Sequence, residues 1–190
     1  MDDTTAAMLQ RWFKRLNRWI MIPMWRLGLR RLINIWPTVG GRILVLVHTG
    51  RKTGARHLTP LNYAPSYSSV YVLAGFGART DWYRNVLAGP AVEVWLPDGR
   101  WLAEATDVSD HPLRISIIRD ILIASGFAAP VAGIDPRRLS DDELVAKTAD
   151  YRLVELQYRA DATGTSGPGD LAWIWVALGA LFIMDKLRRK

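Results

Sequence analysis

The chain has 190 residues, of which 49% are hydrophobic and 23% are charged. This composition fits one globular domain with short appendages and excludes a mainly disordered chain. The chain contains no cysteine, which excludes disulfides, thiolate metal sites and cysteine nucleophiles. Three histidines, His48, His57 and His111, are too few to predict a metal site, so no metal is expected.

The net charge of +7 is concentrated at the two ends of the chain. Residues 1–42 hold eight Lys and Arg against two Asp, residues 43–184 hold thirteen against fifteen acidic residues, and residues 185–190 hold four against one. The basic ends are also rich in Trp, Leu and Ile. This distribution favours a membrane lipid surface as the partner and argues against nucleic acid.

Residues 1–39 are predicted to form basic amphipathic helices. Hydrophobic residues from Leu9 to Ile20 recur at helical spacing with Arg and Lys on the other face, and Pro23 ends or kinks this run. Two interpretations are open for these helices. They pack on the surface of the domain, or they lie in the lipid headgroup layer, which their tryptophans favour.

Residues 40–159 have the pattern of a barrel domain, with short strands separated by turns. Strands are predicted at Ile43–Thr49, Leu58–Tyr63, Val70–Ala74, Val92–Leu96, Trp101–Val108 and Tyr151–Tyr158. Helices are predicted from Asp81 to Leu87, over residues 113–124 and after Ser140. Six strands with flanking helices predict an α+β domain built on a closed or partly closed, mostly antiparallel barrel.

The composition of the carboxyl end predicts a linker followed by a hydrophobic helix. Residues 160–169 are rich in Gly, Ser and Thr, and residues 170–190 combine an apolar run with a basic end. The fourteen uncharged residues Leu171–Met184 would cover roughly 21 Å of a hydrocarbon layer of about 30 Å, a borderline transmembrane helix.

The orientation of this tail is open, because the basic residues at both ends of the chain prefer the cytoplasmic side and a single span cannot satisfy both. The tail crosses the bilayer, packs against the amino-terminal helices, or is buried in a larger membrane protein complex through residues 170–190. We expect a membrane-associated protein with its barrel on the cytoplasmic side.

The turn from Gly50 to His57 is the most specific local feature. Between its glycines and the next strand it carries three cations and a hydroxyl: Arg51, Lys52, Thr53 and Arg56. Backbone N–H groups and positive charge in one turn are typical of a phosphate or carboxylate site. It is not a P-loop, because Gly54 is not followed by Lys and Ser or Thr. A solvated basic hairpin turn is the alternative.

A second segment, from Gly75 to Asn85, has a compatible composition. Gly75 and Gly77 would let a ligand approach the backbone, and the start of the following helix would add N–H donors. Trp82 and Tyr83 supply flat apolar area, unless they are ordinary core aromatics.

These two segments resemble the motifs of a known family. Leu46–Gly54, followed by Arg56 and Thr59–Leu61, resembles the strand–turn–strand signature of the deazaflavin (coenzyme F420)-dependent nitroreductase and quinone reductase family. Asp81–Ala88, followed by Pro90, resembles its second motif. The resemblance covers residues 40–108. It implies a split β-barrel that binds reduced coenzyme F420, with FMN as the less fitting cofactor, and passes a hydride from C5 to a quinone-like or nitro acceptor.

The resemblance also assigns residues to the cofactor in three groups. The cationic turn would hold its phosphate and acidic tail: Arg51, Lys52, Thr53 and Arg56. The next strand would meet the pyrimidine edge of its ring through the backbone: Thr59, Pro60 and Leu61. The second motif would border it: Trp82, Tyr83 and Asn85.

Hydride transfer needs positioning and a proton source rather than a nucleophile. Candidate acids are Tyr63, Tyr83 and Ser68, with water as the alternative. A non-catalytic accessory subunit of a membrane complex, and a flavin- or heme-binding barrel, remain open as other functions. An open groove beside the cationic turn would favour binding, and a groove filled by aromatics would favour a scaffold. Related barrels commonly dimerise, so a homodimer is also expected.

Overall fold

The computed structural model describes residues 15, 17–33, 41–164 and 167–189. Within them, six antiparallel strands form a closed barrel in the order β1-β2-β3-β6-β5-β4. The strands are β1 Ile43–Thr49, β2 Arg56–Pro65, β3 Ser69–Ala74, β4 Ala91–Trp95, β5 Arg100–Asp107 and β6 Arg152–Asp161. The predicted α+β barrel is confirmed.

Helices lie before and after the barrel strands in the chain and in the long connections between them. They are α1 Ile22–Arg26, α2 Arg30–Ile33, α3 Asp81–Ala88, α4 Arg114–Ile123, α5 Ala128–Val131, α6 Asp141–Lys147 and α7 Trp173–Arg188. A π-helical turn, Asn17–Met21, precedes α1, and a 3-10 turn, Gly77–Arg79, precedes α3. The predicted amphipathic pattern before Arg15, and residues 34–40, lie outside the described residues.

The apolar run of β1 is buried on both of its faces, as its sequence predicts. Leu44 and Leu46 point into the barrel core, while Val45 and Val47 pack outside the barrel with Trp25 and Trp95. Burying a large apolar side chain contributes about 1.5–3 kcal/mol. Trp25 is 0% exposed, so α1 packs on the domain, which is the first of the two interpretations given for the amino-terminal helices.

The beginning of the carboxyl-terminal tail is bonded to α1. Arg26 donates from Nε to Asp170 Oδ1 at 3.0 Å, and Trp175 donates from Nε1 to the Leu27 carbonyl at 3.0 Å. The backbone N–H of Gly169 donates to the Trp25 carbonyl at 3.0 Å. Of the three options for the tail, these bonds favour packing against the amino-terminal segment.

The segment predicted as a linker, residues 160–169, begins as strand because β6 continues to Asp161. The N–H of Ala162 donates to the Arg100 carbonyl at 2.9 Å, and Arg100 Nη1 donates to the Gly164 carbonyl at 3.0 Å. These bonds attach the first part of the segment to β5.

The transmembrane helix predicted at the carboxyl end is not supported. No helix within the described ranges combines the length and apolar character that crossing a membrane requires. The physical reason lies in α7, whose 16 residues include Asp185, Lys186 and Arg188 and reach about 24 Å against about 30 Å of hydrocarbon.

Gly77 owes its identity to a close backbone approach within the protein rather than to a ligand. Its φ is +70°, and a Cβ placed there would lie 2.9 Å from the carbonyl oxygen of Asp150. The turn before α3 therefore needs glycine where it passes the segment leading into β6.

We expect Gly77→Ala to lower the free energy of unfolding by more than Gly133→Ala does. Gly133 has a φ of +74°, and no atom lies within 4 Å of the position that a Cβ would take there. Gly133→Ala should therefore carry only the backbone strain, about 1–2 kcal/mol. Overlap with Asp150 should add about 1–3 kcal/mol in Gly77→Ala. Chemical denaturation measures both values, and equal losses would contradict the close approach.

Candidate functional site

A cavity of about 910 Å³ opens where β2 separates from β3. These strands pair only at Tyr63, Ala64 and Pro65 of β2. Residues 56–62 pair with β1 on one side, and no described strand pairs with them on the other. Residues from both diverging strands line the cavity, among them Pro60 on β2 and Leu73 on β3. The split in the barrel is therefore the entrance to the site.

The open edge of β2 turns backbone polar groups toward this cavity. The N–H of Gly50 donates to the Ala55 carbonyl at 2.8 Å, and the N–H of Tyr63 donates to the Arg42 carbonyl at 3.3 Å. Backbone groups alternate sides along a strand, so odd-numbered residues of β2 face β1. Leu58 and Pro60 then turn their carbonyls to the cavity, and Leu58 also its N–H group, since proline has none.

Nine of the ten residues that the resemblance assigns to the cofactor line this one cavity: Arg51, Lys52, Thr53, Arg56, Thr59, Pro60, Leu61, Trp82 and Asn85. The tenth, Tyr83, lies in the barrel core and its hydroxyl donates to Asp107. The two motifs, which are separated by 19 residues in sequence, thus meet in a single cavity.

The cations at the mouth of the cavity differ in how they are held. Arg51 Nη1 donates to Asn85 Oδ1 at 2.8 Å, and its Nη2 lies 3.6 Å from Asp81 Oδ1. Arg56 pairs with Glu93 at 3.3 Å. Lys52 is exposed and makes no salt bridge within the described part of the chain. Lys52 is therefore the cation with the most freedom to meet an anion.

A buried polar network lies beneath the cationic turn. Asn85 Oδ1 accepts from the Arg51 N–H at 3.2 Å, and Asn85 Nδ2 lies 3.3 Å from His48 Nδ1. His48 Nε2 lies 3.0 Å from Thr59 Oγ1. Burial, and after it the neighbouring His57, lowers the pKa of His48 to about 4, so the ring is neutral at pH 7. Sequence reasoning missed His48 as a site residue, although a histidine in the aliphatic run of β1 was the available signal.

The far wall of the cavity is apolar and comes from helices that sequence reasoning did not connect with the site. It comprises residues of α1, α4 and α5 and the turn after α5: Ile22, Ile121, Leu122, Ala128, Ala129 and Ala132. Periodicity predicts which face of a helix is apolar but not which strand edge that face covers.

The three predicted acids lie outside the cavity lining. Tyr63 packs against the barrel core, Ser68 is exposed in the turn between β2 and β3, and Tyr83 is bonded to Asp107. Burial and the Asp107 carboxylate raise the pKa of Tyr83 to about 12. The tyrosine that does line the cavity is Tyr151. Burial raises its pKa, so its hydroxyl keeps its proton at neutral pH and can donate it to a ligand.

Residues 31–123 match the model of the family described as F420H(2)-dependent quinone reductase. The matched region contains both motifs and all nine cavity-lining residues named above. The resemblance inferred from the motifs is confirmed over these residues.

Solved structures give weaker likenesses. An F420-H2 dependent reductase is 21% identical over 61% of this chain and 94% of its own, with a TM-score of 0.45. An F420 reductase is 16% identical over 64% of this chain and 90% of its own, also with a TM-score of 0.45. A chain described as a domain-swapped dimer is 18% identical over 78% of this chain and 98% of its own, with a TM-score of 0.46. Likenesses this low do not establish function. No curated protein matches the chain.

The lowered pKa of His48 predicts a stability that falls with acidification. The unfolded ring titrates near 6.5 and the folded ring near 4, so between these values the unfolded state binds a proton that the folded state does not. The contribution is complete above about pH 6.5 and is lost toward pH 4, by on the order of 3 kcal/mol.

Urea denaturation across this pH range checks the prediction by comparing the wild type with His48→Gln. The variant should lose part of the pH dependence, and His111→Gln should keep it. Equal slopes for His48→Gln and the wild type would show that His48 is not the titrating group.

Proposed function

We propose that the chain binds reduced coenzyme F420 in the cavity between β2 and β3 and transfers a hydride from it to a quinone-like or nitro acceptor. One observation carries the proposal: nine of the ten residues assigned by resemblance line one cavity of about 910 Å³. That volume is of the size that protein sites use for a cofactor or drug-sized ligand.

The cavity suits a ligand with an acidic tail and a flat polar ring. Lys52 and Arg51 at its mouth supply positive charge for phosphate or carboxylate groups. The open edge of β2 offers donors and acceptors for the pyrimidine edge of a ring, and Trp82 and Phe76 supply apolar area beside it. A bound reduced deazaflavin supplies the hydride, while the residues of this chain hold its tail and orient its ring.

The apolar wall supports a lipophilic acceptor. Ala128, Ala129 and Ala132 present small side chains to the cavity, which leaves room for a second flat molecule. Tyr151 also lines the cavity, and burial raises its pKa, so its hydroxyl retains its proton at neutral pH; we assign it as the donor to the reduced acceptor.

The accessory-subunit alternative requires a groove that the protein fills with its own aromatic side chains. Residues Arg51, Lys52 and Arg56 instead border an open cavity, which favours binding. A homodimer stays a prediction, as does docking of residues 170–190 into a larger membrane complex.

We further propose that α7 attaches the protein to an anionic membrane surface, with the barrel on the cytoplasmic side. None of its residues is buried, and its exposed apolar side chains include Trp173, Leu181 and Phe182. Lys186 and Arg188 lie in its last turn, a combination of apolar area and positive charge that suits anionic lipids.

Titration of the full chain with F420, and with FMN in parallel, tests the proposed function directly through the absorbance or fluorescence of the cofactor. We expect F420 to bind with an affinity that falls as salt rises. Lys52→Ala should weaken F420 binding by about 10-fold and reduce the salt dependence.

Lys147→Ala is the matched control, because it removes an exposed lysine of α6 that does not line the cavity. Equal affinities for Lys52→Ala and the wild type would refute the anion site. No binding of either cofactor by the wild type would instead favour the accessory-subunit function.

Sedimentation with lipid vesicles tests the membrane proposal. The protein should bind vesicles that contain phosphatidylglycerol more strongly than vesicles of phosphatidylcholine alone. Leu181→Asp should abolish most of the binding, because it adds charge to a side chain that is 58% exposed on α7.

Leu113→Asp is the control for this substitution, since Leu113 is 62% exposed and precedes α4. Equal loss in both variants, or no vesicle binding by the wild type, would rule out membrane contact through α7.

A further inference from the structure

We infer that Asn85 and His48 are positioning residues that fix the Thr59 hydroxyl as a hydrogen-bond donor toward the ligand in the cavity. The inference rests on the proposed function and deepens it, because it assigns a polarity to one contact of the ligand ring. It is carried by the chain of hydrogen bonds from Arg51 to Thr59.

The orientation of the Asn85 amide follows from its partner Arg51. The backbone N–H of Arg51 lies 3.2 Å from one amide atom of Asn85, and Nη1 of Arg51 lies 2.8 Å from the same atom. Both groups of Arg51 can only donate. The shared atom must therefore be the acceptor Oδ1, so that the NH₂ group of Asn85 faces His48.

The tautomer of His48 follows from the orientation of Asn85. The Nδ2 of Asn85 is a donor and lies 3.3 Å from His48 Nδ1, so Nδ1 must accept and carries no proton. A neutral imidazole has its single proton on the other nitrogen. His48 therefore donates from Nε2.

The hydrogen-bonding role of the Thr59 hydroxyl follows from this tautomer. Thr59 Oγ1 lies 3.0 Å from His48 Nε2, so the hydroxyl oxygen accepts that proton in a hydrogen bond. A hydroxyl has only one hydrogen of its own, and the bond to His48 does not use it. Since Thr59 lines the cavity, this hydrogen is available to the ligand.

The network gives the site a preference among ligands. At Thr59 a ring should present an acceptor, such as a carbonyl oxygen or an unprotonated ring nitrogen. A ring that presents an N–H group there would bind less well, because that N–H and the Thr59 hydroxyl would both be donors with no acceptor between them. The same hydrogen-bond network ends at Arg51 in the cationic turn. It would therefore link the residue that contacts the ring of the ligand, Thr59, to a residue that contacts its acidic tail, Arg51.

The first test reads the tautomer in the ligand-free full-length protein. Two-dimensional ¹H–¹⁵N spectroscopy of the histidine rings distinguishes a protonated from an unprotonated nitrogen. We expect His48 at pH 7 with an unprotonated Nδ1 and a protonated Nε2. The reverse tautomer, or a doubly protonated ring, would overturn the inference without any reference to cofactor binding.

The second test measures F420 binding by Thr59 variants. Thr59→Val removes the donor at nearly constant shape and should weaken binding about 10-fold, with a shift in the absorbance maximum of the bound cofactor. Thr59→Ser should restore both. Thr106→Val, at an exposed position on β5, is the control and should change neither.

A double-mutant cycle tests the positioning role of Asn85. If Asn85 acts on the ring through Thr59, then Asn85→Leu combined with Thr59→Val should lose far less than the product of the two single effects. Independent effects would overturn the relay. Absence of F420 binding by the wild type would overturn the proposed function, whereas normal binding by Thr59→Val would overturn only the role of Thr59.

Discussion

The parting of β2 from β3 is the constraint on which the site depends. All residues of β3, from Ser69 to Ala74, pair with β6, whereas only three of them pair with β2. Farther along the unpaired edge of β2 lies Pro60, which has no N–H to donate to another strand. The barrel closes elsewhere, so this one edge keeps its backbone groups for a ligand, and side chains of α4 and α5 line the same cavity.

The charges around this edge are organised before any ligand arrives. Arg51 is held by Asn85 and Asp81, and Arg56 by Glu93. Bonds of this kind fix two long side chains whose ordering would otherwise oppose binding. Lys52 alone among these cations stays outside such a salt bridge in the described ranges, which makes it the adaptable contact in an otherwise fixed mouth.

Local sequence patterns predicted the strands and the part of the cavity that the two motifs line. The remaining cavity residues are brought there by packing between elements distant in sequence, which local patterns do not predict. The aliphatic run of β1 and the Ser140 cap of α6 are local patterns, and both have the expected structure. Tyr83 shows the limit of such patterns. It is adjacent to Trp82 in the motif, but one residue turns a helix by about 100°, so Trp82 reaches the cavity and Tyr83 faces Asp107. Tyr151 and the alanines of α5 gave no local signal, because only the packing of separate elements brings them to β2.

Helix α1 connects the cavity with the tail, through three residues at helical spacing. Ile22 lines the cavity, Trp25 packs against β1 and β4, and Arg26 binds Asp170 at the start of the tail. Residues three and four apart share one face of a helix, so this single turn touches the site, the barrel and the segment leading into α7. A membrane bound by α7 would therefore lie close to the apolar side of the cavity. A lipophilic acceptor partitions into the membrane, and this arrangement would bring its source next to the wall of α4 and α5 that the proposed reaction needs.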